Sequence, residues 1–206
     1  MITVLAGVLA FSVGILFDAT SLKRVGWLKG LTWLIVSLLM AYAHLSLALS
    51  PDKIPLAPWV RWLGWPLLGL GAFMLFYSLY WEIPFLEAYA SDRSDGELVQ
   101  EGTYALVRHP GAIWYAVVLV GLFMVSWSKL ALLAAPIWFA MEVLWVWIED
   151  RFIFERIFAG YAEYRATTPM LIPTRESLRR FWGTLTLRKI IMRVFTTGFA
   201  ERAGRD

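Results

Sequence analysis

Cysteine is missing from all 206 residues of this chain. Disulfides, thiolate nucleophiles and thiolate-bound metals are therefore excluded, while the redox compartment stays open. Histidine is nearly missing too, because the two that occur, His44 and His109, are too few for a metal centre built from imidazoles. We expect no metal site, and a formal net charge of only +3 gives no reason to expect a nucleic-acid partner.

Charged residues are also scarce, since they make up 17% of the chain while hydrophobic residues make up 59%. Soluble domains have roughly a quarter charged residues and about half apolar ones. The composition therefore predicts an all-α, polytopic integral membrane protein. About five transmembrane helices are expected from the apolar runs, which lie near 2–17, 30–49, 62–81, 111–126 and 130–148. His44 falls in the second run, where a neutral imidazole bonded to a neighbouring helix competes with a role in a site.

The basic residues predict an orientation. If the N-terminus lies outside, only Lys53, Arg61 and Lys129 of the 19 Lys and Arg residues are outside. Cytoplasmic segments are enriched in Lys and Arg, so we expect a multi-pass protein of the cell membrane with a cytoplasmic C-terminus.

Two regions are expected, a membrane domain at 1–173 and a basic tail at 174–206. Apolar residues recur in this tail at roughly helical spacing, and most of its basic residues fall on other faces. This pattern predicts a C-terminal interfacial amphipathic helix that lies on anionic headgroups. A partner-binding role is the alternative.

A short polar hinge, 101–110, precedes the fourth apolar run. Arg108 and His109 are adjacent in it, and Pro110 stops an upstream helix while favouring the start of the next one. A cation, an imidazole and unpaired helix-start N–H groups therefore meet at the membrane edge, where a polar or anionic cofactor can bind. The alternative is a snorkelling Arg beside an interfacial His.

Two motifs resemble those of a known family. The hinge pattern Gly102-x-Tyr104-x-x-Val107-Arg108-His109-Pro110 and the adjacent acidic pair Glu149-Asp150 are similar to the signatures of the isoprenylcysteine carboxyl methyltransferase and phospholipid methyltransferase superfamily. The similarity runs from about Leu98 to Pro173. It departs after Pro110, where the family's Tyr and Gly are Ala112 and Trp114.

The resemblance implies an integral membrane enzyme that takes a methyl group from S-adenosylmethionine, and the predicted orientation places both motifs on the cytoplasmic side. It implies a donor site built from the hinge and the end of the fifth run, with the segment around Tyr161 as a lid. The cofactor-binding residues are then Gly102, Tyr104, Leu106, Val107, Arg108, His109, Glu149, Asp150 and Tyr161. We assign catalytic roles to His109, Arg108 and Glu142.

The fifth run carries one further pattern. Trp138, Glu142, Trp145 and Glu149 are spaced four, three and four apart, which places them on one helical face. Glu142 falls in mid-span, where an ionised carboxylate is costly, and tryptophans beside carboxylates favour a cation. We expect Trp138, Glu142 and Trp145 to line a pocket for a lipophilic acceptor, with Glu142 or His109 accepting its proton. The alternative is a protonated Glu142 bonded to a neighbouring helix, with tryptophans that only pack.

The absence of one arginine limits the chemical class of the acceptor. Relatives that methylate a prenylcysteine carboxylate usually carry an arginine about one turn before the acidic pair, where this chain has Trp145-Val146-Trp147. A lipid acceptor with a neutral or amine headgroup is therefore favoured over a prenylcysteine-like carboxylate. Two other functions stay open: a membrane reductase of sterols or other lipids that uses NADPH and shares the Arg-His-Pro hinge, and a non-catalytic membrane protein on the same scaffold.

Overall fold

The computed structural model describes residues 1–22, 26–83 and 98–184. Within these ranges the chain is helical and contains no strand, which confirms the predicted all-α class. Its helices are α1 (Ile2–Leu22), α2 (Gly26–Ala48), α3 (Pro58–Phe76), α4 (Thr103–Leu106), α5 (Pro110–Ser126), α6 (Lys129–Ile148), α7 (Phe154–Ile157), α8 (Tyr161–Thr167) and α9 (Arg175–Thr184). The part of the predicted tail beyond residue 184 lies outside the described residues.

Three helical stretches of the described chain are long and apolar enough to cross a membrane, namely Gly30–Ala48, Pro58–Glu82 and Lys129–Ile157. Shorter apolar helical stretches occur at Ile2–Asp18 and Pro110–Ser126. All five predicted runs are thus helical, and their count as five spans stays a prediction. Large apolar side chains point outward, as a hydrocarbon surrounding permits; Leu45 is 61%, Trp62 75% and Phe73 63% exposed.

Helices α3 and α5 approach each other closely along glycines. A Cβ on Gly71 would lie 2.9 Å from the Val118 backbone nitrogen, and one on Gly121 would lie 2.6 Å from that of Leu68. Small residues allow such close approach in lipid. The glycines of the third run predict this contact, although Gly69 has only open space around it.

Helix α1 packs on α6 in the same way. Gly7 lies under the indole of Trp138 and Gly14 under that of Trp145, so a methyl group at either glycine would overlap a ring. Trp138 is fully buried, and its indole N–H donates to the Val4 carbonyl at 3.1 Å. The tryptophan face of the fifth run is therefore turned toward α1.

His44 bridges two helices in the core. Its Nδ1 lies 2.8 Å from the Met40 carbonyl, and its Nε2 lies 3.2 Å from the Tyr115 hydroxyl. A carbonyl can only accept, so Nδ1 carries the hydrogen and Nε2 accepts from the tyrosine. Of the two alternatives for His44, a neutral imidazole bonded to a neighbouring helix or a role in a site, the arrangement matches the first.

Two of the long helices end in π-helical turns near the hinge. Helix α3 continues as the turn Tyr77–Glu82, and α6 continues as the turn Glu149–Ile153. Such turns are rare and are frequent at functional sites. Hydrophobic periodicity does not predict them, yet they carry Glu82, Glu149 and Asp150.

Candidate active site

Gly102 of the hinge precedes α4, and its φ of 61° and ψ of −135° strain any residue with a Cβ. A Cβ at this position would overlap Oε1 of Glu82. The Glu82 carboxylate accepts hydrogen bonds from the Thr103 backbone N–H at 2.9 Å and from the Thr103 hydroxyl. Glu82 thus caps α4, and no sequence motif signals this role because the two residues are 21 positions apart.

Two buried tyrosines fasten α4 from both sides. The Tyr104 hydroxyl donates to the Ser78 carbonyl at 3.1 Å, and the Tyr164 hydroxyl donates to the Tyr104 carbonyl at 2.7 Å. Burial raises the pKa of Tyr164, which keeps its hydroxyl a neutral donor. Tyr104, a predicted cofactor residue, therefore directs its hydroxyl into the helix bundle.

The segment after α8 closes over the hinge. The Pro169 carbonyl accepts from the Arg108 backbone N–H at 2.9 Å, and the Met170 carbonyl accepts from that of His109 at 3.2 Å. These two bonds fix the backbone just before Pro110, where His109 has φ −124° and ψ 68°. The side chains of Arg108 and His109 are therefore held in fixed positions against α6.

Arg108 and Asp150 form a buried, two-pronged ion pair. Nε lies 2.7 Å from Oδ1 and Nη2 lies 2.9 Å from Oδ2, while Nη1 donates to the Arg165 carbonyl at 3.0 Å and to the Thr168 carbonyl. The same Oδ1 accepts from the Tyr161 hydroxyl at 2.5 Å. The structure thus joins three predicted cofactor residues, Arg108, Asp150 and Tyr161, to one another. Their contact with a cofactor stays a prediction.

His109 lies between the two acidic residues of the pair. Its ring stacks on that of Phe154 with centroids 5.7 Å apart and planes at 14°. Nδ1 is 3.7 Å from Oε2 of Glu149, and Nε2 is 3.5 Å from Oδ1 of Asp150, both beyond the usual hydrogen-bond distance. Burial lowers the pKa of His109, although Asp150 acts in the opposite direction. Nε2 is buried and has no hydrogen-bond partner among the described residues.

Glu149 faces a different neighbour from Asp150, because adjacent residues of a helical turn project in different directions. Its carboxyl group is close enough to the Asp18 carboxyl on α1 for the two to interact electrostatically. Asp18 is only 6% exposed and accepts a hydrogen bond from the Trp145 indole N–H. No motif marks Asp18, so sequence reading did not identify it.

The predicted acceptor face divides in two. Trp138 belongs to the core between α1 and α6, where its ring and its N–H are occupied by packing and by a backbone carbonyl. Glu142 and Trp145 are partly buried and lie nearer to Glu149 along the helix. The structure therefore brings Glu142, Trp145 and Glu149 together and directs Trp138 into packing. A pocket for an acceptor at this face stays a prediction.

An apolar cavity of about 300 Å³ lies on the other side of the hinge. It is lined by Thr103, Leu106, Val107, Pro110, Ile113, Trp114, Leu171, Ile172 and Pro173. Two predicted cofactor residues, Leu106 and Val107, thus line a hydrophobic wall. Trp114, which stands where the family has Gly, lines the same cavity.

A comparison with known protein families gives a match to this chain. The family model described as phospholipid methyltransferase matches residues 59–159, a segment that includes the capping Glu82, the whole hinge and the acidic pair. A search of curated proteins found no match, and a search of solved structures also found none. The resemblance drawn from the hinge and the acidic pair is confirmed. Over residues 59–159, just under half of its length, this chain is similar to the phospholipid methyltransferase family.

Proposed function

We propose that this protein transfers a methyl group from S-adenosylmethionine to a lipophilic acceptor with an amine or other neutral headgroup. The observation that carries the proposal is His109, whose imidazole lies between Glu149 and Asp150 with a buried Nε2 that has no partner among the described residues. A buried polar atom of this kind calls for a ligand or a water. The family's usual methyl donor carries the polar groups that such a site can bind.

The two acidic residues have different tasks in this proposal. Asp150 is engaged by the Arg108 guanidinium and the Tyr161 hydroxyl, so it holds the hinge against α6. Glu149 is 14% exposed at its side chain and lies beyond hydrogen-bond distance of His109. Glu149 is therefore the residue that binds the donor, and Arg108 acts as a positioning residue. Tyr161 supports the site from the α8 side as the predicted lid.

S-adenosylmethionine supplies a methyl group on a positively charged sulfur, and direct displacement by the acceptor needs no covalent enzyme intermediate. The tasks of the chain are to orient the reactants, to keep water out and to accept a proton. His109 fits the last task, because burial lowers its pKa and leaves the imidazole neutral. Its stacking on Phe154 fixes the ring plane.

The acceptor side rests on Glu142 and Trp145. Glu142 lies two helical turns before Glu149 on α6, inside the stretch Lys129–Ile157 that is apolar enough to span the membrane. Carboxylates at such depth are rare and usually functional. A carboxylate beside an indole suits an amine headgroup, and the chain has no arginine at the position where carboxyl-methylating relatives usually carry one. Glu142 is the second candidate for proton acceptor.

The proposal includes a topology of five spans with the site in the cytoplasm. The 1–173 domain carries the site, and the tail begins with α9. Arg180 of α9 donates to the Thr167 carbonyl and lies 3.4 Å from the Thr168 hydroxyl, next to the carbonyl that Arg108 uses. We propose that α9 is anchored to the domain at this point and lays its basic surface on anionic headgroups.

Calorimetry of the purified protein in detergent tests the activity. S-adenosylhomocysteine should bind and NADPH should not. His109→Ala and Glu149→Ala should each weaken S-adenosylhomocysteine binding at least tenfold, about 1.4 kcal/mol. Glu163→Ala, which removes an exposed carboxylate from α8, is the matched control and should bind normally.

Each other result points to a different function. Binding of NADPH alone would favour the lipid reductase, and binding of neither ligand would favour a non-catalytic protein. Normal S-adenosylhomocysteine affinity in both His109→Ala and Glu149→Ala would leave the methyltransferase assignment standing and would mean that the donor site lies elsewhere in the fold.

A further inference from the structure

We propose that Asp18 of α1 pairs with Glu149 to favour the cationic methyl donor over its neutral product, which makes Asp18 a positioning residue for the sulfonium. The inference rests on the proposed use of S-adenosylmethionine. It adds to the site a helix that lies outside the family match at residues 59–159.

Burial and two contacts hold the Asp18 carboxyl in place. It is 6% exposed, it accepts a hydrogen bond from the Trp145 indole N–H, and it is close enough to the Glu149 carboxyl for the two to interact electrostatically. Trp145 is itself fixed, because its ring lies 2.5 Å from where a Cβ on Gly14 would be. A glycine one turn before the aspartate therefore lets the indole reach it.

The second observation that points to a ligand is the buried His109 imidazole. Its Nδ1 faces Glu149 at 3.7 Å, beyond the usual hydrogen-bond distance, while its Nε2 is turned toward Asp150 and has no hydrogen-bond partner among the described residues. Two carboxyl groups in contact repel each other when both are ionised, unless a proton or a cation lies near them. A cationic ligand beside Glu149 would therefore stabilise both carboxylates at once.

The position of the pair selects the sulfonium over the donor's other charged groups. Methyl transfer requires the sulfur to lie between the donor site and the acceptor. The donor residues lie at the hinge, with His109, and the proposed acceptor residue is Glu142. Glu149 lies between these two groups, because its carboxylate is close to His109 and it shares a helical face with Glu142. Asp18 and Trp145 meet Glu149 at this level, and an indole face adds cation–π attraction.

A ligand pair that differs in this charge tests the inference. S-adenosylmethionine has the sulfonium, whereas S-adenosylhomocysteine lacks only the methyl group and its positive charge. Asp18→Asn keeps the size of the side chain and removes the charge. It should weaken binding of S-adenosylmethionine by about tenfold and change binding of S-adenosylhomocysteine by less than about twofold.

Two further variants separate charge from folding. Asp18→Ser is neutral and keeps an oxygen that can accept from Trp145, so it should show the same loss of selectivity if Asp18→Asn fails to fold. Asp52→Asn removes an exposed carboxylate at the opposite end of the helices and should preserve the selectivity of the wild type. A purely structural role of Asp18 would weaken both ligands equally.

The outcomes are distinct from those of the proposed function. Selective loss of S-adenosylmethionine binding supports the inference. Equal loss for both ligands, or no loss, overturns it while leaving the methyltransferase assignment in place. Failure of the wild type to bind either ligand overturns the proposed function itself.

Discussion

Replacement of Gly102 by alanine is expected to damage the hinge more than any other glycine substitution near it. Its φ of 61° and ψ of −135° are strained for residues with a Cβ, at a cost on the order of 1–3 kcal/mol. The new methyl group would also overlap Oε1 of Glu82, which caps α4 through Thr103. Loss of a hydrogen bond to a charged group costs about 1.5–3 kcal/mol.

The two effects together predict a loss of roughly 3–5 kcal/mol in the stability of the folded state, because relief of the overlap requires Glu82 to leave its donors. Two glycines provide graded controls. Gly160 has φ 79° but open space around it, so Gly160→Ala carries only backbone strain, about 1–2 kcal/mol. Gly69 is helical with open space around it, so Gly69→Ala should be neutral or slightly stabilising.

The assay is thermal unfolding in detergent, followed by tryptophan fluorescence, together with S-adenosylhomocysteine affinity. The midpoints should fall in the order Gly69→Ala, Gly160→Ala, Gly102→Ala, and only the last variant should also lose ligand affinity. If Gly102→Ala unfolds at the same midpoint as Gly69→Ala and binds S-adenosylhomocysteine normally, the role assigned to Glu82 is refuted. Glu82→Gln provides a separate check, because it should weaken the cap without straining the backbone.

Three further predictions address the acceptor, the topology and the pH dependence. Glu142→Gln should slow methyl transfer into a total lipid extract and leave S-adenosylhomocysteine affinity nearly intact. The assay follows tritiated methyl groups, which base releases as volatile methanol from methyl esters. A base-labile product that Glu142→Gln forms at the full rate would contradict an amine acceptor that loses its proton to Glu142. A cysteine at exposed Lys129 should react with an impermeant thiol reagent on intact cells, and one at exposed Glu163 should not; the reverse labelling would invert the topology. Burial lowers the pKa of His109 from its ordinary 6.5, so the unfolded chain takes up this proton first. Its contribution to stability is complete above about pH 6.5 and is lost as the pH falls toward the folded pKa, and an unaltered acid limb of the unfolding profile in His109→Gln would contradict this.

The sequence predicts the helices and the motifs well because both depend on local patterns. Apolar runs of spanning length become helices, and Arg108, His109 and the acidic pair do meet, as the resemblance implies. Helical periodicity also places Trp138 and Trp145 on one face. It does not say which helix covers that face, and α1 buries the first while binding the second through Asp18.

The residues that sequence reading missed are long-range partners. Glu82 lies 21 positions from Thr103, and Asp18 lies 127 positions from Trp145. Neither belongs to a motif, and each looks like the polar end of an apolar run. The π-helical turns at Tyr77–Glu82 and Glu149–Ile153 are equally hard to predict, because they lie at the ends of α3 and α6, where few further residues remain to show a change of helical period.

In the proposed site the two adjacent carboxylates have separate roles, one in fixing the geometry and one in binding the ligand. Asp150 closes a buried ion pair with Arg108 and therefore ties α6 to the hinge, where removal of one partner would leave an uncompensated charge. Glu149, one residue earlier, points to α1 and faces Nδ1 of His109 at 3.7 Å. One acidic residue thus fixes the geometry while its neighbour stays available to a cation. Because Asp18 lies outside residues 59–159, the matched family segment by itself lacks part of the surface that would meet the methyl donor.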